Sequence, residues 1–215
     1  MIKKMVIINR AVPGSGKTTI TNCIVAELKK NDLQVVVHST DEYFMQQGKY
    51  IFDIKSLKKY HQENFASFQE SIENKIDVII CDNTNIAPWQ TEEYTQLARE
   101  HKYKILILTL DPRELEQHVQ SQLITDEKTD AHRVDEEILV RMIREYEIFD
   151  DLLNTKTVID PHKHMHYEWD EEKTKKIIIG TAKYFDSDLI IRILPDEYKN
   201  IQSVIGSKIL KLIKG

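Results

Sequence analysis

The segment Ala11-Val12-Pro13-Gly14-Ser15-Gly16-Lys17-Thr18-Thr19 has the residue types and spacing to hold a polyphosphate. Gly14 and Gly16 open backbone conformations closed to other residues, which lets N–H groups turn inward around phosphate oxygens. The helix that the segment introduces adds the partial positive charge of its N-terminus. In this arrangement Lys17 reaches the β- and γ-phosphates of a nucleoside triphosphate, and the Thr18 hydroxyl ligates Mg²⁺. Pro13 to Thr19 are therefore the candidate nucleotide contacts. The first position of the pattern is usually Gly, and here it is Ala11, also small. A chance Gly-rich turn is the competing reading. The flanks argue against it, because the segment follows an apolar run and precedes a helical one.

Two further strings end apolar runs in carboxylates: Ser39-Thr40-Asp41-Glu42-Tyr43-Phe44 and Cys81-Asp82-Asn83-Thr84-Asn85. Phosphoryl transfer needs a metal to neutralise phosphate charge and a base to orient the attacking hydroxyl. Asp41 and Asp82 can divide these tasks. Each has a simpler alternative, Asp41 as a helix cap or turn residue and Asp82 as an Asx-turn. Beside a phosphate loop the functional reading outweighs both.

The elements that must position these groups are legible as periodicities. Met5 to Asn9, Leu33 to His38, Ile76 to Cys81 and Lys104 to Leu110 are short apolar runs that predict buried strands, and Thr157 to Asp160 is a candidate fifth. Helical spacing occupies Lys17 to Lys30, Ile54 to Lys75, Pro88 to Lys102, Pro112 to Leu123 and Asp135 to Leu153. Continuous apolar strands alternating with helices predict a parallel sheet covered on both faces. Ligands of such sheets bind outside the carboxyl ends of the strands. All three polar strings follow strand ends.

The chain has 215 residues, enough for one α/β domain with an appendage. Its 30 Lys and Arg against 35 Asp and Glu give a formal charge of -5. That balance disfavours long duplex nucleic acid as main partner and leaves a local basic groove open. Cys23 and Cys81 make neither a disulfide framework nor a zinc pattern, which points to a reducing compartment. With no apolar run long enough to span a bilayer and no signal-peptide pattern, a cytoplasmic location is expected.

The strings AVPGSGKTT, HSTDEYF, GKYIFD and IICDNTN, with His61, Asn64, Trp89 and Tyr94 between and after them, resemble the P-loop kinases of the polynucleotide 5′-hydroxyl kinase group. The likeness is greatest to the kinase-like domain of the NEDD4-binding protein 2 group and covers about residues 5 to 150. It implies a three-layer α/β P-loop fold with a five-stranded parallel sheet, strand three lying beside the phosphate-loop strand. It also implies an ATP- and Mg²⁺-dependent kinase acting on a hydroxyl, with a polynucleotide 5′-hydroxyl as first expectation. A small-molecule kinase and a nucleotide-dependent switch with little transfer are the alternatives. By position, Asp41 matches the general base and Asp82 the Walker-B-like carboxylate near Mg²⁺, while Asn83 and Asn85 line the acceptor pocket or fix the loop. Phe44 stands where phage-type kinases carry an Arg that holds an acceptor phosphate, so an aromatic contact replaces an ionic one.

The lid, about residues 125–134, also departs from the family pattern. Thr129 replaces the usual Arg, leaving Arg133, or Lys128, as the lid cation. The resemblance stops before the end of the chain, which divides the reading into a kinase domain over 1–160 and a C-terminal extension over 161–215. In the extension, Lys176 to Ile179 and Asp188 to Leu194 predict strands, Asp196 to Lys214 predicts an amphipathic helix, and His162, His164 and His166 alternate. The histidines carry a metal-site reading weaker than a plain surface one. The sequence leaves the oligomeric state open.

Overall fold

A computed structural model describes residues 3–121, 134–153, 166–169, 176–180 and 184–215. Its centre is a parallel sheet of five strands: β1 (Met5–Arg10), β2 (Val35–His38), β5 (Val78–Cys81), β6 (Lys104–Leu110) and β9 (Leu189–Ile193), in the order β2-β5-β1-β6-β9. As expected, the strand ending in Cys81 lies beside the phosphate-loop strand, with β2 outside it. The strand expected at Thr157 to Asp160 lies outside the described residues. The fifth position is filled by β9, which pairs in parallel with β6 from Leu106↔Leu189 to Leu110↔Ile193.

Alternation along β1 divides the core. Val6 and Ile8 face a layer containing α2 (Ile54–Glu73), α3 (Glu92–Glu100) and α5 (Glu136–Ile148), where Phe68, Ile72, Tyr94, Ala98 and Tyr146 close over them. Met5 and Ile7 face α1 (Lys17–Lys30) and α7 (Ile205–Lys214), whose Ile20, Ile24, Leu28, Ile205, Ile209 and Ile213 are fully buried. Each such aliphatic contributes roughly 1.5–3 kcal/mol of transfer free energy. Both strand faces being covered explains why the strands read as continuous apolar runs.

The peripheral elements are short. A 3₁₀ turn (Thr40–Phe44) follows β2 and leads into the hairpin of β3 (Met45–Gln46) and β4 (Lys49–Tyr50). Residues 115–121 form the described part of helix α4. A 3₁₀ turn (Asp150–Leu153) follows α5, β7 (His166–Trp169) and β8 (Lys176–Gly180) pair antiparallel, and α6 (Tyr198–Ile201) precedes α7. Among the described residues no helix is long and apolar enough to cross a membrane.

Candidate active site

Strand register brings the polar strings together. Ile8 pairs with Cys81, and His38 with the same residue, so Asn9 and Ser39 flank Asp82 at the carboxyl edge. Asp82 is nearly buried and accepts from four side chains. Asn9 Nδ2 lies 2.6 Å and Lys17 Nζ 3.0 Å from Oδ1, Thr21 Oγ1 lies 3.4 Å from Oδ1, and Thr18 Oγ1 lies 3.5 Å from Oδ2. Lys17 also donates to the Asp82 main-chain carbonyl at 2.8 Å. A carboxylate in so many charge-assisted contacts is held in one orientation. Its Oδ2 faces the Thr18 hydroxyl, and this pair could hold Mg²⁺, which binds through one or two protein oxygens, phosphate oxygens and water. Among the described residues no group of three or more His, Cys, Asp or Glu could hold a metal ion.

The loop has the cradle geometry that its glycines predict. Gly14 and Gly16 have φ of 77° and 84°, in the left-handed region. Space adds to the conformational requirement. A Cβ at Gly14 would lie 2.9 Å from the His118 carbonyl, and one at Gly16 2.0 Å from the Tyr198 hydroxyl. The Ser15 hydroxyl is buried with no hydrogen-bond partner among the described residues, beside the turn that a phosphate would fill.

The outer side of the loop is held by residues that the sequence reading did not single out. His118 Nδ1 donates to the Pro13 carbonyl at 2.9 Å, while its Nε2 accepts from the Arg113 amide at 2.9 Å. This pairing requires the neutral ring protonated on Nδ1. Burial pushes the His118 pKa down, which suits that state. Arg113 Nη2 donates to the Ser15 carbonyl at 2.9 Å, and its guanidinium lies 4.9 Å from the Tyr198 ring centre. The Tyr198 hydroxyl donates to the Gly16 carbonyl at 3.0 Å. These contacts fix the carbonyls of Pro13, Ser15 and Gly16 from one side of the loop. Nothing in the local sequence connects Tyr198 to Gly16, since only the fold makes them neighbours.

Asp41 stands on the other side of Asp82. The Thr40 amide donates to Asn83 Oδ1 at 2.9 Å, stitching the turn after β2 to the turn after β5. The Tyr50 hydroxyl donates to Asp41 Oδ1 at 3.3 Å, and His61 Nδ1 lies 3.1 Å from the Thr40 hydroxyl. Burial, opposed by Asp41, lowers the His61 pKa, so the ring beside Thr40 tends to the neutral form. Burial and then the charge of Asp82 raise the Glu42 pKa, placing Glu42 in the field of the Asp82 carboxylate.

Phe44 and the two asparagines pack into the scaffold around the site. Phe44 is 1 % exposed, packed 4.8 Å from the Tyr60 ring and 5.0 Å from the Phe52 ring, so it supports the hairpin from beneath. Asn85, at φ 46°, donates to the Asn9 carbonyl at 2.8 Å. With Asn83 accepting from Thr40, both asparagines brace the loop. Trp89 stacks edge-on against Phe149, and Tyr94 accepts from Asn64 in the core. Lys128, Thr129 and Arg133, and with them lid residues 125–133, lie outside the described residues, as do His162 and His164.

Arg10, one residue beyond the expected strand and at the end of β1, is fully buried. It donates to the carbonyls of Ile86 and Tyr146 and to Asp150, and its guanidinium lies 3.6 Å from the Tyr146 ring centre. Asp150 and Asp111 in turn bind Arg192 of β9 at 2.6 and 2.9 Å. Tyr146, Asp150, Asp111 and Arg192 form one wall of a cavity of about 670 Å³ between α5 and the ends of β6 and β9, with Arg113 also lining it. The network pins the phosphate-loop strand to α5 and to the C-terminal strand.

Comparison with known proteins agrees with this geometry. Residues 6–149 match the AAA domain family model. Over 151 residues the chain is 33% identical to human NEDD4-binding protein 2, an alignment covering 67% of this chain and 8% of that protein. The chain thus spans less than a tenth of that relative's length. Among solved structures, similar folds occur in a candidate kinase from Chloroflexus aurantiacus (TM-score 0.59, 12% identity, covering 100% of this chain and 98% of the other). A chain of the Pnkp1/Rnl/Hen1 RNA repair complex is also similar (0.56, 13%, covering 97% and 85%), as is Chaetomium thermophilum Kti12 bound to ADP-AlF3 (0.52, 12%, covering 98% and 100%).

Proposed function

We propose that this chain, which belongs to the AAA domain family of P-loop proteins, is an ATP-dependent kinase that phosphorylates a hydroxyl, with a polynucleotide 5′-hydroxyl as acceptor. The observation that carries the reading is the pair of carboxylates at adjacent strand ends. Asp82 is tied to the loop through Lys17 and Thr18, while Asp41 faces away from the loop toward the hairpin. A switch protein needs only the first carboxylate; a transfer enzyme needs a second, set apart for the acceptor.

In this reading the backbone amides of Gly14 to Thr19 and the Lys17 ammonium bind the triphosphate. Thr18 and Asp82 would hold Mg²⁺, which supplies neutralisation of phosphate charge when bound. Lys17 leaves Asp82 to meet the phosphates, and Asn9 and Thr21 keep Asp82 oriented after it goes. Asp41 accepts the proton of the acceptor hydroxyl, and Tyr50 holds Asp41 in place by its hydrogen bond. Arg133, or Lys128, serves as the lid cation on the transferring group. The resemblance of the strings HSTDEYF and DNTN to those of the polynucleotide 5′-hydroxyl kinase group supports the polynucleotide acceptor over other alcohols. The net charge of -5 favours a small-molecule acceptor as the second reading. Incubation with γ-labelled ATP and, in parallel, 5′-hydroxyl oligonucleotides, nucleosides and small alcohols tests the proposal. Label on the oligonucleotide end is expected, and label on metabolites only, or nucleotide binding without transfer to any of them, rejects it.

A further inference from the structure

We propose that the β3–β4 hairpin and the first turns of α2 form a platform that holds the terminal nucleotides of a single-stranded acceptor, bases on Phe52 and its apolar neighbours and phosphates on the surrounding lysines. The inference deepens the 5′-hydroxyl kinase reading and rests on it.

Met45, Ile51, Phe52 and Ile54 are 46%, 49%, 46% and 67% exposed within ten residues of chain. Four exposed apolar side chains in so short a stretch of chain mark a surface that something covers. The patch is built to keep its shape. Gln47 and Gly48 both have positive φ, 51° and 81°, the tight two-residue turn whose twist matches paired strands. Phe44 lies beneath, within 5.8 Å of the Tyr50 ring as well as close to Phe52 and Tyr60, and its carbonyl accepts from the Ile51 amide at 2.9 Å.

Position and charge say what covers it. Tyr50 joins the hairpin to Asp41, so the patch is continuous with the proposed base. Lys49, Lys55, Lys58 and Lys59 are exposed around it. Of the two acids in residues 45–63, Asp53 caps α2 by accepting from the Lys55 amide and the Ser56 hydroxyl, and Glu63 pairs with Lys59 at 3.6 Å. The segment therefore carries a formal +2 in a chain of -5. Apolar and aromatic faces ringed by flexible cations suit stacked bases on a phosphate backbone, read without sequence preference. A small alcohol would use neither feature.

The test uses the full chain and a 5′-hydroxyl, 3′-fluorescein single-stranded RNA 12-mer. Binding is read by anisotropy at two salt concentrations, and transfer is measured on the 12-mer and on a dinucleotide. Phe52→Ala should weaken 12-mer binding about fivefold or more, with Phe52→Trp retaining it as a check on folding. The Lys55→Gln/Lys58→Gln double variant should weaken binding and flatten the salt dependence, by a slope of roughly 1.4 for two phosphate contacts. ATP affinity should be the same in all variants. If wild type labels the 12-mer and every variant binds and labels it equally, the platform is overturned and the kinase reading stands. If wild type binds the 12-mer through Phe52 yet transfers nothing to it, the platform stands and the kinase reading falls. Wild type that neither binds nor labels the 12-mer overturns both. A shift from dimer to monomer in Phe52→Ala, with no change in RNA binding, would show that a second copy covers the patch and also overturns the proposal.

Discussion

Lys17 rests on Asp82, its ammonium 2.8 Å from the main-chain carbonyl and 3.0 Å from Oδ1, with both side chains largely shielded from water. The phosphate-binding cation and the carboxylate nearest the metal position are thus each other's partner. Phosphate binding must exchange this pair for a better one, so the two residues are energetically linked.

Lys17→Ala is expected to fold, because Asn9 and Thr21 still satisfy Asp82. It should lose nucleotide affinity and lower turnover by on the order of 100-fold, the scale for removing one donor to a transferring group. Turnover near wild type would withdraw the phosphate-loop assignment.

The two carboxylates should separate kinetically. Asp41→Asn is expected to depress turnover by roughly 100-fold or more with little change in Mg·ATP affinity, since a base acts on the acceptor. Asp82→Asn should instead raise the Mg²⁺ concentration needed for half-maximal rate. Titrating Mg²⁺ in both variants decides it, and the opposite pattern means that the roles are exchanged.

Support of the loop from outside can be measured through Tyr198, which donates to the Gly16 carbonyl. Tyr198→Phe removes one hydrogen bond, a net effect near 1 kcal/mol. It should raise the KM for ATP about fivefold while the melting temperature moves little. An unchanged KM would show that the loop keeps its shape without α6.

Stability should fall on the acid side of neutrality. Burial lowers the His38 pKa from 6.5 to about 4, and burial likewise lowers those of His61 and His118. The unfolded chain therefore takes up protons first, at about pH 6.5. The stability present above that pH declines as pH falls toward 4, by about 3 kcal/mol from His38. Urea unfolding between pH 7.5 and 4 should show the decline, and His38→Gln should reduce its slope. An equal slope in that variant would assign the loss to other groups.

Arg133→Ala tests the lid cation. A drop in turnover of at least tenfold, about 1.4 kcal/mol of transition-state stabilisation, is expected. With unchanged turnover the role passes to Lys128.

The phosphate loop, the two carboxylates and the parallel sheet were legible in the sequence for a shared reason. Each rests on contacts between residues near in the chain, or on a periodicity that a short window reveals. Gly14, Gly16, Lys17 and Thr18 form one turn, and continuous runs such as Val78–Cys81 require burial on both faces. The tertiary structure decided which long-range partners complete them. Arg10 fell between the expected strand and the expected loop and drew no reading, yet it is buried against Tyr146 and Asp150, and Asp150 carries the network on to the exposed Arg192. Phe44 read as an aromatic contact for the acceptor, yet the hairpin folds over it and Phe52 beside it is exposed. Tyr198 reaches Gly16 only because β9 pairs with β6 and α7 packs on α1, carrying α6 to the loop. Such contacts join residues far apart in the chain, and local propensity and period carry no information about which distant side chain arrives.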